Sequence, residues 1–318
     1  MKTYRIIEMI FFSSQKLQPF TLFYVYINTN NKKNKNMKTH LLMTCVLLFT
    51  SFFSANATER IVGNGTIITK DFSVEQYDGI EIGALSYGTN GFSFSQIFNS
   101  KRNESSTPVF YYTQRRTHSL SITTDKNIMG YLKIRVIDNV LTIRTEDGYN
   151  ICPTSFTMRG SSVNLEKIQI TGGGNFYLDS SLKGNELDAY ITGGGSLFME
   201  NPVVLKEGNL KITGGGDLKA KSLSCEEINI NVTGGGDAYL QGKADEGEIS
   251  ITGGGDLHAY GFEIKKLDAH ISGGGTAEVF VSENLNANVT GGGDLYYKGN
   301  PKAKKTHSTG GGDIHAVK

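Results

Sequence analysis

The sequence predicts an all-β fold, a single-stranded β-helix or solenoid of about eight stacked coils. Two observations carry this prediction. A Gly-Gly-Gly triplet recurs eight times in the second half of the 318-residue chain, at spacings of 18 to 21 residues. Apolar and polar residues alternate on both sides of each triplet, which is the period of a half-buried strand. Because one coil of about twenty residues cannot bury its own apolar face, successive coils must stack.

The beginning of the chain carries export signals. Residues 37–57 fit a signal peptide, in which a basic residue precedes an apolar run at 41–53 and the small residues Ala-Asn-Ala end at Ala57. Cleavage would leave Thr58 as the first mature residue. Residues 1–36 precede this complete signal peptide and are interpreted as an upstream extension translated from a misplaced start, with a genuine leader as the alternative. We therefore expect an exported protein that stays in the periplasm, reaches the outer surface or is released.

The composition of the chain argues against nucleic-acid binding and against a transmembrane helix after the signal peptide. Without its first 57 residues the chain has 25 Lys and Arg against 30 Asp and Glu, a net charge of about −5. This charge gives no electrostatic support to nucleic-acid binding. No later stretch supplies the roughly 18 consecutive apolar residues that a transmembrane helix requires. Cys152 and Cys225 are the remaining cysteines, and a single pair leaves open whether they form a disulfide.

An N-terminal β region is assigned to residues 58–160, before the repeats of residues 161–318. Alternating apolar residues predict strands that continue the stack, and Asp138-Asn139 predicts a turn between two of them. The polar segment 99–108 predicts an exposed loop. The apolar positions of the predicted strands are Ile80, Ile82, Phe92, Phe94, Leu132, Ile134, Val136, Leu141 and Ile143.

The repeats are defined by their glycine turns. Each triplet follows Thr or Ser and most precede Asp. Glycine suits such a turn because it reaches positive φ without strain and allows backbones to approach closely. In the last coil Ser308 replaces the Ile or Val of earlier coils, which predicts a polar end that blocks end-to-end pairing. The triplets begin at Gly172, Gly193, Gly214, Gly234, Gly253, Gly273, Gly291 and Gly310.

This pattern resembles the autotransporter-adhesin head GIN domain family of exported Bacteroidetes proteins. The resemblance covers roughly residues 72–316, and it rests on the segments 77–82 (Tyr-Asp-Gly-Ile-Glu-Ile) and 123–128 (Thr-Thr-Asp-Lys-Asn-Ile) and on the glycine turns. It implies a β-helix with two sheets joined at the turns, distantly similar to pectate-lyase folds, and a role in adhesion. A long polar insertion between Phe98 and Leu120 departs from the family pattern.

The Asp residues that follow the triplets are the first candidate site. Stacking could align Asp217, Asp237 and Asp256 as a ladder of oxygens, and calcium favours clustered carboxylates. The alternative, which we favour, is that each Asp caps its own turn by accepting a backbone N–H. Asn175, Ser196 and Thr276 occupy the same position and can cap while ligating a cation only weakly. We therefore expect neither a metal nor a cofactor.

Outward side chains two residues further on are the second candidate. Aligned in a stripe, aromatic faces could stack on sugars or form a protein interface. Five of these residues, Tyr177, Phe198, Tyr239, His258 and Tyr296, are the predicted ligand contacts. The alternative is that aromatic residues are simply good strand formers on a half-exposed face. The whole stripe comprises Tyr177, Phe198, Lys219, Tyr239, His258, Glu278, Tyr296 and His315, in which Lys219 and Glu278 interrupt the aromatic series.

These observations favour an exported, non-enzymatic adhesin that binds a glycan or a surface protein. Two alternatives stay open, a polysaccharide-processing enzyme of pectate-lyase-like fold and a purely structural or self-assembling solenoid that forms homo-oligomers. The enzyme is disfavoured because all arginines lie at or before residue 159 and no nucleophile motif is present.

Overall fold

The structure is a computed structural model that describes residues 5–12, 19–26, 59–83 and 107–318. Contacts divide the chain into two units, Met1–Ala57 and Thr58–Lys318. The first contains an antiparallel hairpin of β1 (Arg5–Phe12) and β2 (Pro19–Tyr26). The predicted signal peptide and its cleavage site lie outside the described residues, as does most of the predicted polar loop.

The described residues of the second unit form strands almost throughout, with one 3-10 helix at Met129–Tyr131. None of its described helices has the length and apolar character needed to cross a membrane. The strands before the repeats are β3 (Glu59–Val62), β4 (Ile67–Phe72), β5 (Gly79–Ile82), β6 (Val109–Gln114), β7 (Ser119–Asp125), β8 (Leu132–Ile137), β9 (Val140–Thr145), β10 (Tyr149–Cys152) and β11 (Phe156–Ser162). Those of the repeats are β12 (Lys167–Gly172), β13 (Asn175–Leu178), β14 (Leu182–Lys183), β15 (Glu186–Gly193), β16 (Ser196–Met199), β17 (Val203–Val204), β18 (Glu207–Gly214), β19 (Leu218–Gly234), β20 (Ala238–Gly253), β21 (Leu257–Gly273), β22 (Ala277–Gly291), β23 (Leu295–Lys298), β24 (Ala303–Gly310) and β25 (Ile314–Ala316).

Successive coils pair in parallel and in register, so that each glycine turn lies on the next. Gly193 is paired with Gly214, and Gly214 with Gly234. The predicted all-β solenoid of about eight stacked coils is therefore confirmed. The described coils also contain a third short run of pairing, where the family resemblance implied two sheets. In two coils this third run forms the short separate strands β14 and β17, which pair with each other. In β19–β22 it is continuous with the other two runs, so that each strand has 15 to 17 residues and extends from one turn to the next.

The core is a column of inward side chains inside the coils. In one coil Leu218, Leu223 and Ile228 come from the three successive runs, and each is at most 1% exposed. Cys225 points into the same core, and burial raises the pKa of its thiol to about 12. Cys152, on β10, is half-buried. The two cysteines are not bonded to each other in the structure.

The predicted strands of the N-terminal β region that the structure describes continue the stack, while the one predicted at Phe92 and Phe94 lies outside the described residues. Strand β5 pairs in parallel with β12 and β9, and β6 pairs in parallel with β13 and β11. Strands β8 and β9 form the expected hairpin, in which Asp138 and Asn139 have φ angles of 50° and 61°. Positive φ at both central residues matches the right-handed twist of paired strands. The antiparallel strands β7 and β4 then cover this end of the stack.

The three glycines of a turn are needed for different reasons. The first has positive φ, as at Gly214 with 115°. The middle glycine, Gly215, is exposed, and an added Cβ would meet nothing within 4 Å. At the third, Gly216, an added Cβ would overlap the carbonyl oxygen of Gly195 and lie 2.7 Å from Ile191 Cγ2. The turn therefore requires glycine at its first and third positions.

Candidate functional site

The strand segments that directly follow the glycine turns carry a single column of outward side chains. The predicted stripe residues are paired with one another from coil to coil in the expected order. Pairing of β6 with β13, and of β11 with β6, adds Tyr111 and Arg159 at its N-terminal end. We call this column the aromatic ladder; in spatial order it contains Arg159, Tyr111, Tyr177, Phe198, Lys219, Tyr239, His258, Glu278, Tyr296 and His315.

Ring stacking holds most of the ladder together. The ring centroids of Tyr177 lie 5.3 Å from Tyr111 and 4.5 Å from Phe198, at interplanar angles of 21° and 13°. Further along, Tyr239 stacks on His258 at 4.7 Å and 19°. At the C-terminal end Tyr296 stacks on His315 at 5.0 Å and 20°. Neighbouring rings are thus nearly parallel throughout these pairs.

Two charged residues lie between the aromatic segments of the ladder. Lys219 Nζ lies 5.9 Å from the ring centroid of Phe198 and 5.1 Å from that of Tyr239, so its ammonium bridges two rings by cation–π contacts. Glu278 Oε2 lies 2.9 Å from His258 Nδ1. Lys219 therefore connects the aromatic residues on either side of it, whereas Glu278 contacts only the His258 side.

The orientation of the rings changes what the ladder can offer to a ligand. Because the rings stack along the solenoid axis, their faces contact neighbouring rungs and their edges point outward. Stacking of a sugar on a ring face, the contact expected from sequence, is thus blocked at interior rungs such as Tyr177 and Tyr239. Burial, and then the charges of Asp237, Asp217 and Asp256, raise the pKa of the Tyr239 hydroxyl. This phenol stays protonated at neutral pH and can donate a hydrogen bond.

The Asp column beside the ladder joins one coil to the next. Asp256 Oδ1 accepts the backbone N–H of Thr276 at 2.7 Å, and Asp294 Oδ1 accepts that of Asp313 at 2.8 Å. Asp237 Oδ1 likewise accepts the N–H of Asp256 at 3.1 Å. The expectation that each Asp caps its own turn was wrong about the partner, since the N–H belongs to the following coil. In the described part of the chain, no three His, Cys, Asp or Glu side chains converge as a metal site would require.

Two depressions open on the surface of the described unit. The larger, about 540 Å³, lies over the strands that precede the turns, and two pairs of its polar side chains bind one another. Lys266 Nζ lies 2.7 Å from Glu246 Oε1, and Asn286 Nδ2 donates to Asp268 Oδ2 at 3.0 Å. The smaller, about 420 Å³, lies at the N-terminal end of the ladder and is lined by both Tyr111 and Arg159. Sequence reasoning found neither depression, because each combines residues from several coils.

Fold and ladder together define a class of protein, a β-solenoid with a long repetitive side-chain column on an open face. The chain belongs to the family described as "Putative auto-transporter adhesin, head GIN domain", whose model matches residues 105–301. This confirms the resemblance seen in the sequence. Membership supports an adhesin-like role and an exported or surface protein.

Solved structures of Bacteroidetes proteins share the fold. A putative adhesin from Parabacteroides distasonis ATCC 8503 is 27% identical, with a TM-score of 0.70, and the match covers 81% of this chain and all of that one. A putative adhesin from Parabacteroides merdae ATCC 43184 is 25% identical, with a TM-score of 0.70 over 82% of this chain and all of that one. A protein from P. distasonis described as a "Putative lipid binding protein" is 25% identical, with a TM-score of 0.68 and the same coverage as the second. A comparison with curated proteins finds no match.

Proposed function

We propose that this protein is an exported, non-enzymatic adhesin of the cell envelope that binds a glycan or a surface protein along the aromatic ladder. The observation that carries the proposal is the continuity of the ladder, in which every coil places one interacting side chain on the same face. Ten rungs at the spacing of paired strands extend over about 43 Å. A column of this length fits an extended partner better than a small molecule.

The side chains of the ladder are suited to an interface. Tyr rings combine apolar area with a hydroxyl group, and their side chains lose little entropy when they bind. Stacking within the ladder already fixes the rings, which lowers the entropy cost of binding further. The outward ring edges, the phenol hydroxyls and the charges of Lys219 and Glu278 then supply contacts along a flat surface.

A triple variant tests the ladder directly. Tyr177→Thr, Tyr239→Thr and Tyr296→Thr keep β-forming residues while removing three rings. On a glycan array and on immobilised envelope proteins, we expect the triple variant to lose at least tenfold in affinity relative to the unmodified protein. The matched control, Tyr190→Thr, Asn231→Thr and His270→Thr, removes outward side chains from the strands that precede the turns and should bind normally.

The outcome separates three functions. Equal binding by the triple variant and the unmodified protein would contradict the ladder as the binding face.

Binding to lipid vesicles is measured as well, because one structural neighbour is described as a putative lipid binding protein. Incubation with polysaccharides, with and without calcium, tests the enzymatic alternative, and release of unsaturated sugars that one acidic substitution abolishes would overturn the non-enzymatic proposal. Cell fractionation tests export.

A further inference from the structure

We infer that the 420 Å³ depression at the N-terminal end of the ladder is a subsite for an acidic sugar residue of a glycan. This inference rests on the proposed function, since the depression continues the ladder beyond Tyr111. Its volume lies within the range of small-ligand sites, roughly 300 to 1,000 Å³. It is also the end at which the ladder changes from rings to a charged side chain.

Arg159 is the central feature of the subsite. Its guanidinium carbon lies 4.6 Å from the ring centroid of Tyr111, which in turn stacks on Tyr177. The ladder therefore holds the guanidinium plane in place, as stacking on an aromatic ring does for arginine generally. A guanidinium fixed in this way presents its N–H groups as a fork, which matches the two oxygens of a carboxylate or sulfate.

A second guanidinium, that of Arg115, lines the same depression. Within the described residues, neither Arg115 nor Arg159 has a carboxylate at ion-pair distance. Both side chains are exposed, so their charges are available to a ligand. Two guanidinium groups that form no ion pair within the described residues favour an anionic group in this concave site.

The remaining lining favours a sugar over a simple anion. Thr113 and Ser119 contribute hydroxyl groups, whereas the buried Ser161 hydroxyl is bonded to Ser119 and donates to the carbonyl of Thr117. His118 has an Nε2 atom without a hydrogen-bond partner in the described part of the chain. Asp71 and Asp179 also line the depression, and carboxylates accept hydrogen bonds from sugar hydroxyls. Their negative charge disfavours a polyanion. A ligand with one acidic group and several hydroxyls satisfies all of these residues.

Binding of matched oligosaccharides to the full chain tests the subsite. The probes are a glucuronate-terminated oligosaccharide, its carboxyl-reduced counterpart, a sulfated analogue and inorganic sulfate. We expect the glucuronate probe to bind at least tenfold more tightly than the reduced one, since only its carboxylate can accept charge-assisted hydrogen bonds from the two guanidinium groups. The sulfated analogue distinguishes a carboxylate site from a general acidic-sugar site, and inorganic sulfate should bind weakly.

Two variants and one control assign the effect to the depression. Arg115→Gln and Arg159→Gln should each remove the tenfold preference for the acidic probe. Arg116→Gln, an exposed neighbour that does not line the depression, should retain it. Arg115→Gln leaves the stack on Tyr111 intact, so it keeps the test valid if Arg159→Gln lowers the melting temperature.

The results also separate this inference from the proposed function. If the unmodified protein shows no preference for the acidic probes, or keeps its preference in both arginine variants, the subsite is wrong. If the tyrosine triple variant loses its partner while the arginine variants bind normally, the ladder functions without the subsite. Loss of the acidic preference only in the arginine variants supports the subsite independently of the ladder.

Discussion

Asp125 shows how one side chain can hold the N-terminal end of a solenoid together. Its carboxylate is fully buried and accepts hydrogen bonds from the backbone N–H and hydroxyl of Thr154, both at 2.8 Å, and from the N–H of Gly65 at 2.7 Å. It thereby joins the segments before β4 and β11 to the end of β7. This residue lies in the segment 123–128, one of those that carry the family resemblance. Its contacts indicate that the segment has a structural role.

The buried carboxylate should make stability depend on pH. Burial alone would raise the pKa of Asp125, but the hydrogen bonds from Thr154 and Gly65 outweigh burial, and the pKa lies below its ordinary value of 3.8. A lowered folded-state pKa contributes stability that is present above the unfolded value and is lost as the pH falls through the folded value. We expect the unfolding free energy to decrease as the pH drops below about 4, the ordinary pKa of Asp.

Asp125→Asn should lower the free energy of unfolding at pH 7 by about 2 kcal/mol, because the amide nitrogen cannot accept these hydrogen bonds. The loss of stability below pH 4 should also become shallower. Urea unfolding at several pH values measures both effects. Asp71→Asn, at an exposed carboxylate, is the control and should change neither. An unchanged pH dependence in Asp125→Asn would show that other carboxylates cause it.

At the scale of the element, the glycine turn is the device that lets coils stack closely. The N–H of each middle glycine donates to the carbonyl of the first glycine in the preceding coil, as from Gly215 to Gly193 at 2.9 Å. The third glycine packs directly on the third glycine before it. Triplets therefore appear in the sequence as one motif, although their members obey different constraints. At the middle position, neither the φ angle nor a neighbouring atom excludes a side chain.

Alanine substitutions within one turn should separate these constraints. Gly216→Ala should destabilise the protein by about 2 kcal/mol, the usual cost of forcing extra volume into a packed site. Gly215→Ala, on an open surface, should change stability by less than about 0.5 kcal/mol. Gly174→Ala is the matched control, since it is the third glycine of the first triplet and its added Cβ would meet no atom closer than 3.5 Å. Similar melting temperatures for Gly216→Ala and Gly174→Ala would contradict this explanation.

At the scale of the whole molecule, the two ends of the stack are closed differently. Antiparallel strands cover the N-terminal end. At the other end, β24 has polar residues at the positions that are apolar in β22. Lys304, Thr306 and Ser308 are paired with the buried Leu285, Ala287 and Val289. An open strand edge over an apolar core would favour association, and the polar residues oppose it.

Restoring the apolar pattern should therefore promote end-to-end association. In Lys304→Leu, Thr306→Ala and Ser308→Val, the last coil repeats the inward residues of the coil before it. We expect this variant to form concentration-dependent dimers in sedimentation velocity, because two C-terminal edges can pair with each other while antiparallel strands cover the N-terminal end. The control, Lys305→Ala with His307→Ala, changes outward positions and should sediment like the unmodified protein. A variant that sediments like this control would show that its polar residues are not what prevents association.

The sequence by itself determined the coil, the positions of the turns and eight of the ten rungs of the aromatic ladder. It could do so because a constant spacing near twenty residues sets the register between neighbours, and alternation within each strand sets the face. Tyr111 and Arg159 could not be placed in this way, because β6 and β11 lie outside the triplet repeat. No constant spacing therefore predicts the strands with which they pair. Only the tertiary structure decided the direction of the ring faces, the partner of each Asp and the depression beside Arg159, since all three depend on distances between coils.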